Sequence, residues 1–167
     1  MGCRLRTRPA RVAGVIAVCA LCAPVAAASA KPWAANPAPS IAGAWMATIR
    51  FVSNPPPTAT NGAETSLEGF GSDGLLSEWA TAGRTTGFGV WKATNKRGGF
   101  TYTFRELALS TDNTLLGYVV VTQTGSVSAG GKAYSASGHG QLYSLTGARL
   151  GPPSTTRTQA TRIGSEG

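Results

Sequence analysis

Twenty-two glycines among 167 residues, spaced every few positions through 43–140, constrain this chain more than any other feature. Each would cost a helix interior roughly 1 kcal/mol relative to alanine, and no apolar spacing of about 3.6 residues is sustained between them. Alternation is sustained instead. Trp45, Ala47, Ile49 and Phe51 share one face of an extended segment over 41–51, with Met46, Thr48 and Arg50 on the other. Pro55, Pro56 and Pro57 end that segment.

Further strands follow at short intervals. Thr65–Phe70 and Leu75–Trp79 flank Ser72-Asp73-Gly74, where Gly74 supplies a positive φ and Asp73 supports a turn. Thr86–Thr94 and Phe100–Leu109 flank the polar connection Asn95-Lys96-Arg97-Gly98-Gly99. Asp112-Asn113 precedes Leu115–Thr122, and Ala129-Gly130-Gly131 separates Val127 from Ala133–Ser144. The result is an all-β domain, a meander of seven or eight antiparallel strands. An open sheet of this size leaves unpaired edges, so an up-and-down barrel is the expected architecture, with an interior that is either packed or hollow. Glycines at 69, 71, 87, 89, 117, 138 and 140 suit its turns, bulges and bends.

The flanks read differently. Arg4, Arg6, Arg8 and Arg11 precede an apolar run over Val12–Ala28 that ends in Ala28-Ser29-Ala30, the layout of a signal peptide over 1–30, with cleavage after Ala28 as an alternative. The run is short for a bilayer span of about 20 residues, so export outweighs a stable membrane anchor. Cys19 and Cys22 follow Val18 and Leu21 rather than a small residue, which disfavours lipid attachment. Removing this segment takes away all three cysteines and halves the formal charge of +8, which excludes a disulfide framework and a thiolate metal cage. Residues 31–40, with three prolines, form a flexible leader. The domain is expected over 41–150, and the Ser/Thr-rich segment 151–167, which has no aromatic residue, as a polar and disordered tail.

Two short motifs carry a resemblance. Gly43-Ala44-Trp45 at the start of the first strand resembles the glycine-tryptophan signature of lipocalins, and Gly87-Phe88-Gly89-Val90-Trp91 resembles a mid-barrel strand of lipocalin-like and allene-oxide-cyclase-like proteins. The lipocalin likeness implies binding of an apolar ligand, with Trp45 packing one barrel end. The cyclase likeness implies ring closure of an unsaturated substrate, or a noncatalytic relative. The chain departs from the lipocalin pattern in having no cysteine in its mature part and no evident C-terminal helix.

The polar candidates for chemistry are Glu68, Glu78, Arg84, Arg105, Glu106 and His139, with Tyr102, Tyr118, Tyr134 and Tyr143 as hydrogen-bonding partners. Glu106 shares a strand face with Tyr102 and Phe104. If that face turns inward, Glu106 is the first acid/base candidate of a cofactor-independent cyclase or isomerase, with Tyr102 and Tyr118 as hydrogen-bond donors. If it turns outward, Glu106 pairs with Arg105 or another surface base. Trp91, Phe104, Tyr134 and His139 are the candidate ligand-binding residues. Trp45, Phe51, Phe70, Trp79, Phe88, Trp91, Phe100, Phe104 and Tyr118 suffice for a core or a cavity wall. A single histidine with dispersed carboxylates implies no metal, and nothing implies a cofactor. Lys92, Lys96 and Arg97 surround a hairpin turn rather than tracking a phosphate backbone, so nucleic acid is not an expected partner. The function expected is a secreted barrel that binds a small apolar ligand or serves as an extracellular interaction module, with the cyclase or isomerase as the alternative.

Overall fold

The computed structural model describes residues 38–82, 84–94 and 97–164. The expected signal peptide over 1–30 and most of the leader lie outside the described residues. Eight strands follow one another: β1 (Gly43–Ser53), β2 (Ala63–Phe70), β3 (Leu75–Ala80), β4 (Thr86–Ala93), β5 (Gly99–Leu109), β6 (Leu115–Val127), β7 (Ala133–Tyr143) and β8 (Ser154–Arg162). Each pairs antiparallel with its sequence neighbours, and β1 pairs with β8, so the sheet is a closed up-and-down barrel. The expected fold class holds, with eight strands.

The far boundary needs correction. The segment expected as a disordered tail supplies β8, which pairs with both β1 and β7 and so closes the barrel. Its inward residues are Thr156, Thr158 and Ala160, too small to register as a core pattern. Ala160 packs into the cluster that holds Trp45 and Tyr134, Thr158 is tied to Gln123 and Thr156 faces the open half of the barrel; the strand itself is held by two hydrogen-bonded ladders. Threonine's branched side chain suits that position.

The turns behave as their residues dictate. Gly74 takes φ +86°, and Asp73 Oδ1 accepts the Leu75 N–H at 3.0 Å. Their turn, together with Thr94, Gly98, residues 128–132 and the incoming chain at 38–42, lies at one end of the barrel. The connections 54–62, 110–114 and 144–153, with Thr81, Ala82, Arg84 and Thr85, lie at the other, two of them the longest in the barrel.

The two ends differ in filling. At the first, Trp45 is fully buried, its ring edge-on to Tyr134 with centroids 5.0 Å apart. Its Nε1 donates to the Ile41 carbonyl at 2.7 Å. Phe70, Phe100, Tyr102, Leu76 and Ile41 complete this packed plug. Arg162 covers it: the guanidinium sits 4.2 Å from the Trp45 ring centroid and donates to the carbonyls of Gly131, Ala42 and Ser40 at 2.6–2.7 Å.

Three aromatic residues expected inside are not. Trp79 is 44% and Phe88 67% exposed, and Tyr118 stacks on Tyr143 on the outer wall. On β3 the alternation runs opposite to hydrophobicity: Leu76, Glu78 and Ala80 face inward while Leu75 and Trp79 face solvent. The inward carboxyl is the reason that pattern misleads.

Candidate functional site

The second end is hollow. A cavity of about 560 Å³ opens between its long connections, within the range of roughly 300–1,000 Å³ typical of small-molecule sites. Its walls are mainly apolar, with Ile49 and Phe51 from β1, Phe104 and Ala108 from β5, Val119 and Val121 from β6, and Leu142 from β7. Gln123 and Thr156 contribute polar atoms, and Thr158 donates to Gln123 Oε1 at 2.9 Å.

Into this apolar chamber project the carboxyls of Glu64, Glu78 and Glu106. Glu68 lies next to them in the packed half, where Tyr134 donates its phenolic hydrogen to Glu68 Oε2. Glu68 and Glu78 are direct cross-strand partners of β2 and β3, so two ionised carboxylates would face each other. Ser66 donates to Glu78 Oε1 at 2.6 Å. Burial is the main cause that raises all four carboxyls from the ordinary 4.5: Glu64, Glu68 and Glu78 to about 7 and Glu106 to about 8. The charge of Glu78 adds to the rise at Glu64, Glu68 and Glu106.

Glycine makes room for this cluster. A Cβ on Gly87 would stand 2.7 Å from Phe104 Cδ2 and 3.1 Å from Glu78 Oε2. Gly87 therefore lets the carboxyl of β3 approach the aromatic ring of β5 across β4. On Gly89 a Cβ would overlap the Phe104 backbone. Close approach within the barrel wall, more than turn formation, accounts for the glycines of the Gly87–Trp91 motif.

The expected site residues separate into three groups. Glu106 and Phe104 line the cavity; the face shared by Tyr102, Phe104 and Glu106 turns inward, and Arg105 turns outward over Tyr118, 5.6 Å from its ring centroid. Tyr102 and Tyr134 also point inward but belong to the packed plug. Trp91 lies at that end, edge-on to Phe70 and donating its Nε1 hydrogen to the Gly71 carbonyl at 2.8 Å. Tyr118 and His139 are not brought to the cavity: both stand on the outer wall, because Val119, Val121 and Gly140 are the inward positions of their strands. Glu78, one of the polar candidates, lines the cavity with Glu106. Glu64, Gln123 and Thr156 were not singled out, although alternation through Glu64, Ser66, Glu68 and Phe70 puts both acids on the face that the aromatic residue marks as inward.

Among the described residues no group of three or more His, Cys, Asp or Glu side chains could hold a metal ion, and no helix is long and apolar enough to cross a membrane. No protein-family model matches the chain, and no curated protein or solved structure matches it either. The architecture is consistent in general with the calycin and lipocalin-like barrels, and with no specific family among them.

Proposed function

We propose that this protein is exported and binds a small, largely apolar ligand in the open half of its barrel. The observation that carries the reading is the unequal filling of the interior. One half is plugged by interdigitating aromatic residues, whereas the other leaves about 560 Å³ between walls that could have met. Well-packed interiors leave few voids larger than a water molecule, and concave apolar chambers with a few convergent polar groups are the usual form of ligand sites.

Gly140 provides the test. It lines the cavity, and a Cβ there would sit at ordinary contact distances of 3.5 and 3.6 Å from Val119 and Val121. A Gly140→Leu side chain therefore fits the wall and extends into the chamber. The natural chain is expected to bind a neutral environment-sensitive dye such as Nile red saturably. The variant, with an unchanged circular dichroism spectrum, is expected to bind it at least about tenfold more weakly, ~1.4 kcal/mol. Equal binding by both chains would place the dye on the outer wall and contradict the reading.

A second reading, proton transfer in a cofactor-independent cyclase or isomerase acting on an unsaturated small molecule, is favoured by Glu106. Its carboxyl is raised to about 8, its Oε2 is buried without a partner, and it faces an apolar chamber, which are the properties of a general acid near neutral pH. Such an enzyme would release altered, isomeric product from a conjugated polyene mixture followed by mass spectrometry and chromatography, and Glu106→Gln would abolish the change. Unchanged substrate with the natural chain would leave binding alone.

A further inference from the structure

Four of the seven acidic residues of this chain are Glu64, Glu68, Glu78 and Glu106, and all four turn into the barrel. No Lys, Arg or His is among the described residues that line the cavity. Acidic side chains are ordinarily surface groups, and burying several without a cation is costly. A barrel needing only stability would be better served by apolar residues at these positions.

The free valences of these groups point to what the cavity receives. Glu78 is 2% exposed; Ser66 satisfies its Oε1, but its Oε2 is buried without a hydrogen bond. Glu106 Oε2 is in the same condition. On the opposite arc of the wall, β8 repeats the situation independently: Thr156 is 4% exposed, lines the same cavity, and its hydroxyl has no partner. Buried polar atoms are nearly always hydrogen-bonded, and here three that are not converge on one chamber. Each can accept a hydrogen bond. A bound anion would meet carboxylates and no cation, and a neutral alcohol has one hydrogen to donate.

We infer that the cavity takes an apolar amine, held as its ammonium cation against Glu78 and Glu106 with Thr156 as a further acceptor. The inference rests on the reading of the chamber as a small-molecule site and names the class of ligand. An ammonium group brings three donors and the positive charge that the wall lacks. Phe104 lies beside Glu78 Oε2 at Gly87, adding an aromatic ring that attracts a desolvated cation. The apolar walls take the rest of the molecule.

Proton linkage gives this assignment a signature. Without ligand the cavity carboxyls hold their protons up to about 7 at Glu64 and Glu78 and about 8 at Glu106. An ammonium ion pairs with the ionised form, so its binding expels a proton and strengthens as pH rises through that range. The other titratable groups facing the cluster are Glu68 of β2, Tyr102 of β5 and Tyr134 of β7. Glu68 titrates near 7 and adds negative charge over the same range. Burial, with the charge of Glu68 adding to it, pushes both phenols up, so they stay neutral. The inward residues of β1, β4 and β6 carry no titratable group, and the one on β8, Arg162, covers Trp45 at the opposite, plugged end.

Calorimetric titration of the full chain with octylamine, octanol and octanoate tests the assignment. Octylamine remains charged throughout because aliphatic amines titrate near about 10. At about pH 8.5 it is expected to bind most tightly and octanoate most weakly. Its affinity is expected to rise by up to about tenfold per pH unit between about 6 and 8, with proton release seen as a dependence on buffer ionisation heat, while octanol stays flat. Glu78→Gln combined with Glu106→Gln is expected to remove the preference for the amine and keep octanol binding. Should that variant not fold, the three probes and the pH profile of the natural chain decide. Octanol or octanoate binding as tightly as octylamine at the higher pH would overturn the amine assignment and leave an apolar-ligand site. Failure of all three probes and of Nile red would remove the site itself.

Discussion

Raising the pH from about 5 to about 8.5 weakens the ligand-free barrel, because folding raises the affinity of Glu64, Glu68, Glu78 and Glu106 for protons. The folded carboxyls titrate at about 7 to 8 and the ordinary value is 4.5. Below 4.5 both folded and unfolded chains are protonated and these groups cost nothing. Between there and the folded values the folded chain holds more protons, so stability falls as pH rises; above them the loss is complete. For the well-buried Glu68 and Glu78, a rise from 4.5 to about 7 corresponds to about 3 kcal/mol each if titrated singly, at about 1.4 kcal/mol per pKa unit. Urea unfolding across this range is expected to show the decline, and Glu78→Gln is expected to flatten it and to exceed the natural chain in stability at the alkaline end. Stability that rises with pH, the usual consequence of paired carboxylates, would contradict the interior placement. A bound amine is expected to offset the alkaline loss, since it stabilises the ionised cluster.

The second large effect separates two tryptophans that look alike in the sequence. Trp45→Ala removes the centre of the packed plug, its edge contact with Tyr134 and the ring beneath Arg162. A fully buried aromatic truncated in this way costs about 3–5 kcal/mol. The guanidinium of Arg162 then lies over an empty space, although its carbonyl partners remain. Trp79→Ala, on the outer face of β3, is expected to cost less than about 1 kcal/mol. Urea midpoints of the two variants check the contrast, and equal losses would contradict the assignment of Trp45 to the interior and Trp79 to the wall.

The barrel was legible where backbone chemistry is local. Gly74, the proline run after β1 and the alternation of Trp45, Ala47 and Ile49 each act within a few residues, and they fixed turns, strand ends and an inward face. Legibility failed where side-chain size stopped tracking burial. The strand that closes the barrel, β8, buries threonine and alanine, and its stability comes from pairing on both edges, which depends on residues about a hundred positions away. On β3 Leu75 and Trp79 face outward because the inward places hold Leu76, Glu78 and Ala80. Glu106 was recognisable as a candidate from the face it shares with Tyr102 and Phe104, but the direction of that face was not. The convergence of Glu64, Glu78, Glu106 and Thr156 arises from register around a closed sheet, and no spacing along the chain encodes it. Tyr118 and His139 failed as cavity residues because their strands present other positions inward, and Trp91 because its inward position falls at the plugged end.

The account turns on carboxyls held inside an apolar chamber, and carbon NMR titration of the glutamate side chains observes them one by one. Glu64, Glu68 and Glu78 are expected to change protonation near pH 7 and Glu106 near pH 8, with the Glu106 midpoint falling when octylamine is bound. Midpoints for all four at the ordinary 4.5 would mean solvated carboxylates, and would contradict the acid-lined cavity.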